Sequence, residues 1–270
     1  MKFKRRLFVN EFKLGLILLA LATFMFIPLG AFAYDSFDSE LIDLTKWEES
    51  DHSVREIDNG KLRLNEYGTT SRFSTYLHLM TPVTGYLESK ITIQSGSLVL
   101  GTGTGFARIG AYFYNSQLGP GSYSAYEGNV WGDVRIVLEN DNTLTAKATL
   151  WKSTAPDQSA GETLLDQEFT KSINFDTEYT LSMELSGSQI IFRCDDEEII
   201  YQIQTPVYTP YDPYQHLCTR IYPEEGSAVS VKALFDDVIH LKRPSNALPF
   251  IPLKRPSKAL PFIPLLLLDD

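Results

Sequence analysis

The side chains able to do chemistry in this 270-residue chain are spread along it and form no single motif. Four histidines, His52, His78, His216 and His240, show neither H-x-x-x-H nor H-E-x-x-H spacing, so no zinc site is written in one stretch. No G-x-S-x-G turn presents a serine nucleophile, and neither Cys194 nor Cys218 sits in a local catalytic signature. Gly101, Gly103 and Gly105 form a G-x-G-x-G run, but a phosphate loop needs a following helix to supply its N-terminal dipole, and a strand pattern follows here. Asp195-Asp196-Glu197-Glu198 is acidic enough for acid–base work, yet it falls between two strand patterns, where carboxylates are ordinarily solvated.

What remains is one face of three consecutive strands. Ala107, Ile109, Ala111 and Phe113 suit a core, as do Gly132, Val134, Ile136 and Leu138, then Leu144, Ala146, Ala148 and Leu150. The opposite face then carries Arg108, Tyr112, Tyr114, Trp131, Asp133, Arg135, Lys147 and Trp151. Flat aromatic rings stack on the apolar faces of sugars, and Arg, Lys and Asp bond their hydroxyls, so this mixture suits a binding groove. The alternative is a solvated outer face held by cross-strand pairs.

The elements that must position these residues are strands. From Glu178 to Ile203, Tyr179, Leu181, Met183 and Leu185 alternate with polar residues, Ser186-Gly187-Ser188 turns the chain, and Asp195-Asp196 turns it again. Asn59-Gly60 between Val54–Ile57 and Lys61–Leu64 is a strong hairpin signal. Glu162–Phe169 reads as a polar edge strand. Thr205–Tyr214, rich in Pro and Tyr, reads as a crossover, since proline lacks the ladder donor. No amphipathic helix appears, and about a dozen short strands predict an all-β, two-sheet antiparallel sandwich over residues 34–240.

The formal charge of −10 is unevenly distributed. Residues 1–33 carry +4 and residues 241–270 carry +3, which leaves −17 on residues 34–240. So acidic a domain repels nucleic acid and anionic membranes. Basic residues up to Lys13, an uncharged stretch from Leu14 to Ala33 and the sequence Ala31-Phe32-Ala33 are the three parts of a secretory signal. The expectation is export to periplasm or medium with Tyr34 as the mature N-terminus; an uncleaved anchor, the one membrane contact foreseen, is the alternative. In an oxidising compartment Cys194 and Cys218 could pair, or remain two buried thiols. Residues 241–270 repeat LKRPSNALPFIP as LKRPSKALPFIP and are expected to form an extended, disordered, Pro-rich basic tail.

Several short motifs, in order along the chain, resemble the concanavalin A-like lectin/glucanase superfamily. They are Phe37-Asp38 with Leu41-Ile42-Asp43 and Lys46-Trp47, Val54–Ile57 running into Gly60-Lys61-Leu62, Gly110–Asn115, and Phe235-Asp236-Asp237-Val238. The resemblance implies a jelly roll of two curved sheets, often with a glycan-binding concave face. Retaining glucanases of that superfamily place acids on one strand as E-x-D-x-x-E; the nearest match, Glu139-Asn140-Asp141, has Leu144 in third place and falls in a turn. No cofactor is expected beyond a structural calcium ion, for which Asp35 and Asp38 could meet Asp236 and Asp237. The resulting expectation is a non-catalytic, lectin-like domain that binds a carbohydrate or surface polymer. The alternatives are a glycoside hydrolase or lyase with an unrecognised acid pair, and a structural or adhesion protein of the envelope. The glycan and the oligomeric state are not legible in the sequence.

Overall fold

The computed structural model describes residues 33–49, 54–80, 85–117 and 126–240. The expected signal segment and the repeated tail lie outside the described residues. Strands are numbered in chain order. One sheet has seven, in spatial order β1 (Trp47–Glu49), β4 (Phe73–Leu79), β14 (Gln215–Pro223), β7 (Gly103–Asn115), β8 (Asn129–Leu138), β9 (Leu144–Ser153) and β10 (Gly161–Glu168). The other runs β13 (Glu197–Gln202), β12 (Gln189–Cys194), β11 (Glu178–Ser186), β5 (Tyr86–Ile93), β15 (Ala228–Ile239), β3 (Lys61–Gly68) and β2 (Val54–Asp58), with β6 (Leu98–Leu100) also paired to β15. Every pairing is antiparallel, and no helix occurs among the described residues. The all-β sandwich expected from period-two alternation is therefore what the chain forms.

The core is what the alternating apolar residues make when two such faces meet. Ala107, Ile109, Ala111, Val134, Ile136, Leu138, Ala146, Ala148 and Leu150 from one sheet pack against Leu87, Ile91, Leu181, Met183, Phe192, Val231 and Phe235 from the other. The Asn59-Gly60 turn has φ of 51° and 73°, the left-handed pair that a tight hairpin turn requires. The successive hairpins β11, β12 and β13 form one flank of the eight-stranded sheet, and β10 is an edge strand as its polar sequence indicates.

Two sequence readings are decided here. Of the two alternatives for the cysteines, two buried thiols is what the structure has, and Cys194 and Cys218 are free. The Pro/Tyr crossover carries the chain from an edge of the eight-stranded sheet into the middle of the seven-stranded one, so Cys194 on β12 and Cys218 on β14 lie in different sheets. Cys194 belongs to the hydrophobic core, whereas Cys218 is buried outside it. Burial pushes the Cys194 thiol up to about 12 and the Cys218 thiol up to about 11. The second concerns Tyr114. A bulge in β7 between Tyr112 and Tyr114 inserts Phe113 as an unpaired residue, and the alternation changes phase there. Phe113 and Tyr114 both join the core, and Tyr114 leaves the face on which simple alternation puts it.

The four aspartates considered for calcium are otherwise engaged. Asp35 does reach the last strand, bridging to Val238, but its carboxylate accepts from Trp47 Nε1 at 2.7 Å and Phe37 N at 2.9 Å. Asp38 accepts from the Ser36 hydroxyl, Asp236 pairs with Lys61 and Asp237 with Lys90. Among the described residues no group of three His, Cys, Asp or Glu is arranged to hold a metal ion.

Candidate functional site

The face of the seven-stranded sheet turned away from the core carries a layer of covered polar and aromatic side chains, and this layer is the recess referred to below. Side chains there that should be open to solvent are instead buried: Arg108, Tyr112, Asp133, His216 and Cys218. The outward side chains of the other sheet, such as Lys61, Arg63, Lys90 and Arg193, stay partly exposed and pair with acids.

Register brings together residues from distant parts of the chain. Tyr76, Cys218, Arg108, Arg135 and Lys147 lie side by side across β4, β14, β7, β8 and β9. The next row is His78, His216, Gly110, Asp133 and Thr149. A third row holds Tyr112, Trp131 and Trp151, with Tyr214 closing over Tyr112 at 4.9 Å between ring centroids. Gly110 leaves the second row without a side chain in the middle. The Trp131 and His216 rings fill that gap, stacked at 6.2 Å and 12°.

Asp133 is the anchor of the recess. Its Oδ2 accepts from Arg108 Nη1 at 2.8 Å, and its Oδ1 accepts from Arg135 Nε at 2.8 Å and Thr149 Oγ1 at 2.7 Å. Arg135 also donates to Thr149 Oγ1. Phe106 supplies an aromatic surface to both guanidiniums, with Cζ of Arg108 at 5.2 Å and of Arg135 at 4.9 Å from its centroid, and Arg108 lies 4.6 Å from Trp131. Each guanidinium gives the carboxylate one hydrogen bond while its plane lies against an aromatic ring, a combination that arginine makes and lysine does not. It fixes the centre of the sheet electrostatically, in place of hydrophobic contact.

Around His216 is a cluster of rings: Tyr76 at 5.2 Å, Tyr214 at 5.4 Å and His78 at 5.7 Å. Burial, reinforced by the Arg108 and His78 charges, holds the His216 pKa well below the usual histidine value, so the imidazole is neutral. Among the described residues neither ring nitrogen has a hydrogen-bond partner, nor has Arg108 Nε or Trp131 Nε1. Burial raises the Tyr112 and Tyr214 phenols, whose hydroxyls are hydrogen-bonded to each other. Tyr126 stacks on Tyr112 at 6.3 Å and donates to Asp212 at 3.0 Å, closing this end.

Of the sequence-derived face, Arg108, Tyr112, Trp131, Asp133, Arg135, Lys147 and Trp151 do share it, and Tyr114 does not. Tyr112 is covered by Tyr214 and Tyr126, so its ring face is not free to stack on a sugar. Lys147 is engaged by Glu139 at 3.2 Å and Glu168 at 2.9 Å. Trp151 lies over Gly161 of the edge strand. His216, His78, Tyr76, Tyr214 and Arg220 complete the site and escaped the sequence reading. The signal available was the alternation His216, Cys218, Arg220 against Leu217, Thr219, Ile221. The Glu139–Asp141 acids sit at a turn, where Glu139 accepts from Thr145 and Asp141 from Thr143, and Glu139 reaches only Lys147 at the margin of this face.

No family model matches this sequence, and no curated protein does. Solved structures do match. An endo-acting O-glycanase of the human gut microbiota aligns over 79% of this chain and 92% of its own at 15% identity and TM-score 0.52. A glycoside hydrolase family 16 endo-glucanase from Bacteroides ovatus aligns over 77% and 98% at 13% identity and TM-score 0.52. The β-glucanase of Bacillus licheniformis aligns over 79% and 100% at 12% identity and TM-score 0.51. The chain thus has the concanavalin A-like jelly-roll fold. The expectation of a non-catalytic, lectin-like domain is corrected by these neighbours, which are glycan-cleaving enzymes. That expectation rested on the missing E-x-D-x-x-E motif, and the lack of one catalytic motif does not make a jelly roll a lectin.

Proposed function

We propose that this chain is a glycan-cleaving enzyme whose reaction takes place in the recess of the seven-stranded sheet. The observation that carries the reading is the set of buried polar atoms without partners there: both nitrogens of His216, Nε of Arg108 and Nε1 of Trp131. Each such group left dry costs about 1–3 kcal/mol. A site that keeps several of them together is suited to a ligand rich in hydrogen-bonding groups. The fold shared with endo-acting glycanases supports a glycan as that ligand, and the N-terminal signal pattern supports an exported enzyme.

The side chains favour elimination over hydrolysis. Carboxyl-assisted hydrolysis uses two carboxyl groups about 5–10 Å apart. Asp133 is the one buried carboxylate on this face among the described residues, and it is already taken by two guanidiniums and a hydroxyl. Neutral His216 and the Tyr214 phenol can instead accept and donate protons. His216 takes the proton from the ring carbon that bears a sugar carboxylate. The freed electron pair closes a C=C bond as the glycosidic C–O bond on the next carbon breaks, and Tyr214 gives its proton to the departing oxygen.

The test is a panel of neutral and acidic polysaccharides, with products weighed by mass spectrometry. The reading expects fragments whose masses sum to the substrate without added water and which carry a new C=C absorbance. Fragments heavier by one water each would replace elimination with hydrolysis. Intact polymers throughout would remove the enzyme reading.

A further inference from the structure

At its centre the recess holds three buried or half-buried guanidiniums and one buried carboxylate, against the acidic balance of the domain around it. Residues 34–240 carry a net −17, yet of the three arginines Arg108, Arg135 and Arg220 on this face only the first two pair with its buried carboxylate, Asp133. Arg220 has no acid partner among the described residues: its Nε donates to Ser74 Oγ at 2.5 Å and its Nη1 to the Tyr222 hydroxyl at 3.3 Å, while its guanidinium lies 5.4 Å from the Tyr76 ring. Its neighbour Arg72 lies 5.1 Å over the Tyr222 ring. The second cation of this corner adds to the first and does not offset it: burial lowers the Arg220 pKa, and the Arg72 charge lowers it further.

A half-buried guanidinium satisfied only by hydroxyls is an unfavourable arrangement for a free protein. The same acidic domain supplies abundant carboxylates to the arginines of its other sheet. Arg63 is held by Glu56 and Asp58, and Arg193 by Glu184 and Glu198. At Arg220 no such acid is supplied by the described residues. Beside it, Arg108 Nε is buried with no acceptor.

We infer that the recess is an anion subsite, and that the glycan it takes carries negatively charged groups, held by Arg220 and Arg108 with Arg72 at the rim. The inference deepens the proposed function, on which it rests for the glycan, by naming the chemical class of that glycan. Arginine suits the task because its planar fork meets a carboxylate or a sulfate with two parallel hydrogen bonds. Tyr76 and Trp131, which lie against these guanidiniums, offer the apolar contact that a sugar ring also needs. Uronic acids and sulfated sugars share the required anion, and the measurement separates them.

The experiment is calorimetric titration of the protein with three oligosaccharides of matched length: an oligouronate, a sulfated galactan fragment and a neutral β-1,3-glucan. The inference expects one of the charged pair to bind at least tenfold more tightly than the neutral one, with affinity falling as salt is added. Arg220→Gln is expected to weaken that binding about tenfold to a hundredfold, and Arg220→Lys less, consistent with the loss of a charge-assisted hydrogen bond. Arg72→Gln, at an exposed position, gives a smaller loss and guards against an Arg220 variant that fails to fold. Equal or tighter binding of the neutral oligosaccharide overturns the inference, as does failure of both charged probes to bind. Unchanged affinity in both glutamine variants also overturns it. Charged binding without cleavage removes only the enzyme reading, and cleavage of a neutral glycan removes the anion subsite and the elimination step but leaves glycan cleavage itself standing.

Discussion

The His216 imidazole rests on the bare Cα of Gly110: a Cβ at position 110 would lie 2.8 Å from both Cε1 and Nε2 of the ring, and 3.1 Å from Trp131. The histidine is held at the floor of the recess by a missing side chain, with no hydrogen bond to place it. Gly110→Ala should therefore lift both rings and cost about 1–3 kcal/mol, the usual penalty for overpacking. A urea titration measures it. An unchanged midpoint would mean that the two rings have room to move.

Asp133 ties three strands of the sheet together. Asp133→Asn keeps the shape but leaves the Arg108 and Arg135 guanidiniums facing each other without a carboxylate. Breaking a buried pair in this way costs about 3–5 kcal/mol. Thermal unfolding of the variant should show one of the largest losses of any single conservative change in the domain. A loss within about 0.5 kcal/mol, as at ordinary surface positions, would contradict the placement of this residue.

The buried histidine also sets a pH dependence. The His216 pKa is held well below 6.5 when folded, and the groups facing it are the Arg108 and His78 cations with the Tyr76, Tyr214 and Trp131 rings. His78 is shifted in the same direction, mainly by burial. The unfolded chain therefore binds more protons than the folded one below about pH 6.5, and stability rises with pH through that region. The melting temperature should fall as pH is lowered from about 7 to 5, and His216→Asn should flatten that part of the curve. A curve as steep in the variant as in the wild type would assign the dependence elsewhere.

The free thiols give a simple check on topology. Intact-mass analysis of the protein kept under oxidising conditions should find Cys194 and Cys218 unpaired. Both should react slowly with an alkylating reagent in the native state, since burial raises each thiol. A mass two hydrogens lighter with a Cys194–Cys218 bridge would require the two sheets to be arranged differently.

Much of the fold was legible because sheet burial repeats every second residue. The faces of β7, β8 and β9 follow from Ala107, Ile109, Val134, Ile136, Ala146 and Ala148 alone. Three things were not legible, each for a physical reason. Tyr114 was misplaced because the Phe113 bulge changes the phase, and no residue type announces a bulge. The pairing of Cys194 and Cys218 stayed open because the sequence does not say to which sheet the Thr205–Tyr214 crossover returns. Half of the site was missed because His78 and His216 meet Gly110 and Asp133 only through the pairing of β4, β14, β7 and β8, whose members lie far apart along the chain.

The central claim is that the His216 imidazole takes a proton from a glycan in this recess. The direct measurement is the rate of polysaccharide cleavage by the wild-type protein and by His216→Asn, each checked for native folding by its circular dichroism spectrum. General-base catalysis typically contributes about 10²–10⁴-fold, so a folded variant should lose at least a hundredfold in kcat. A folded His216→Asn protein that cleaves as fast as the wild type would contradict the account.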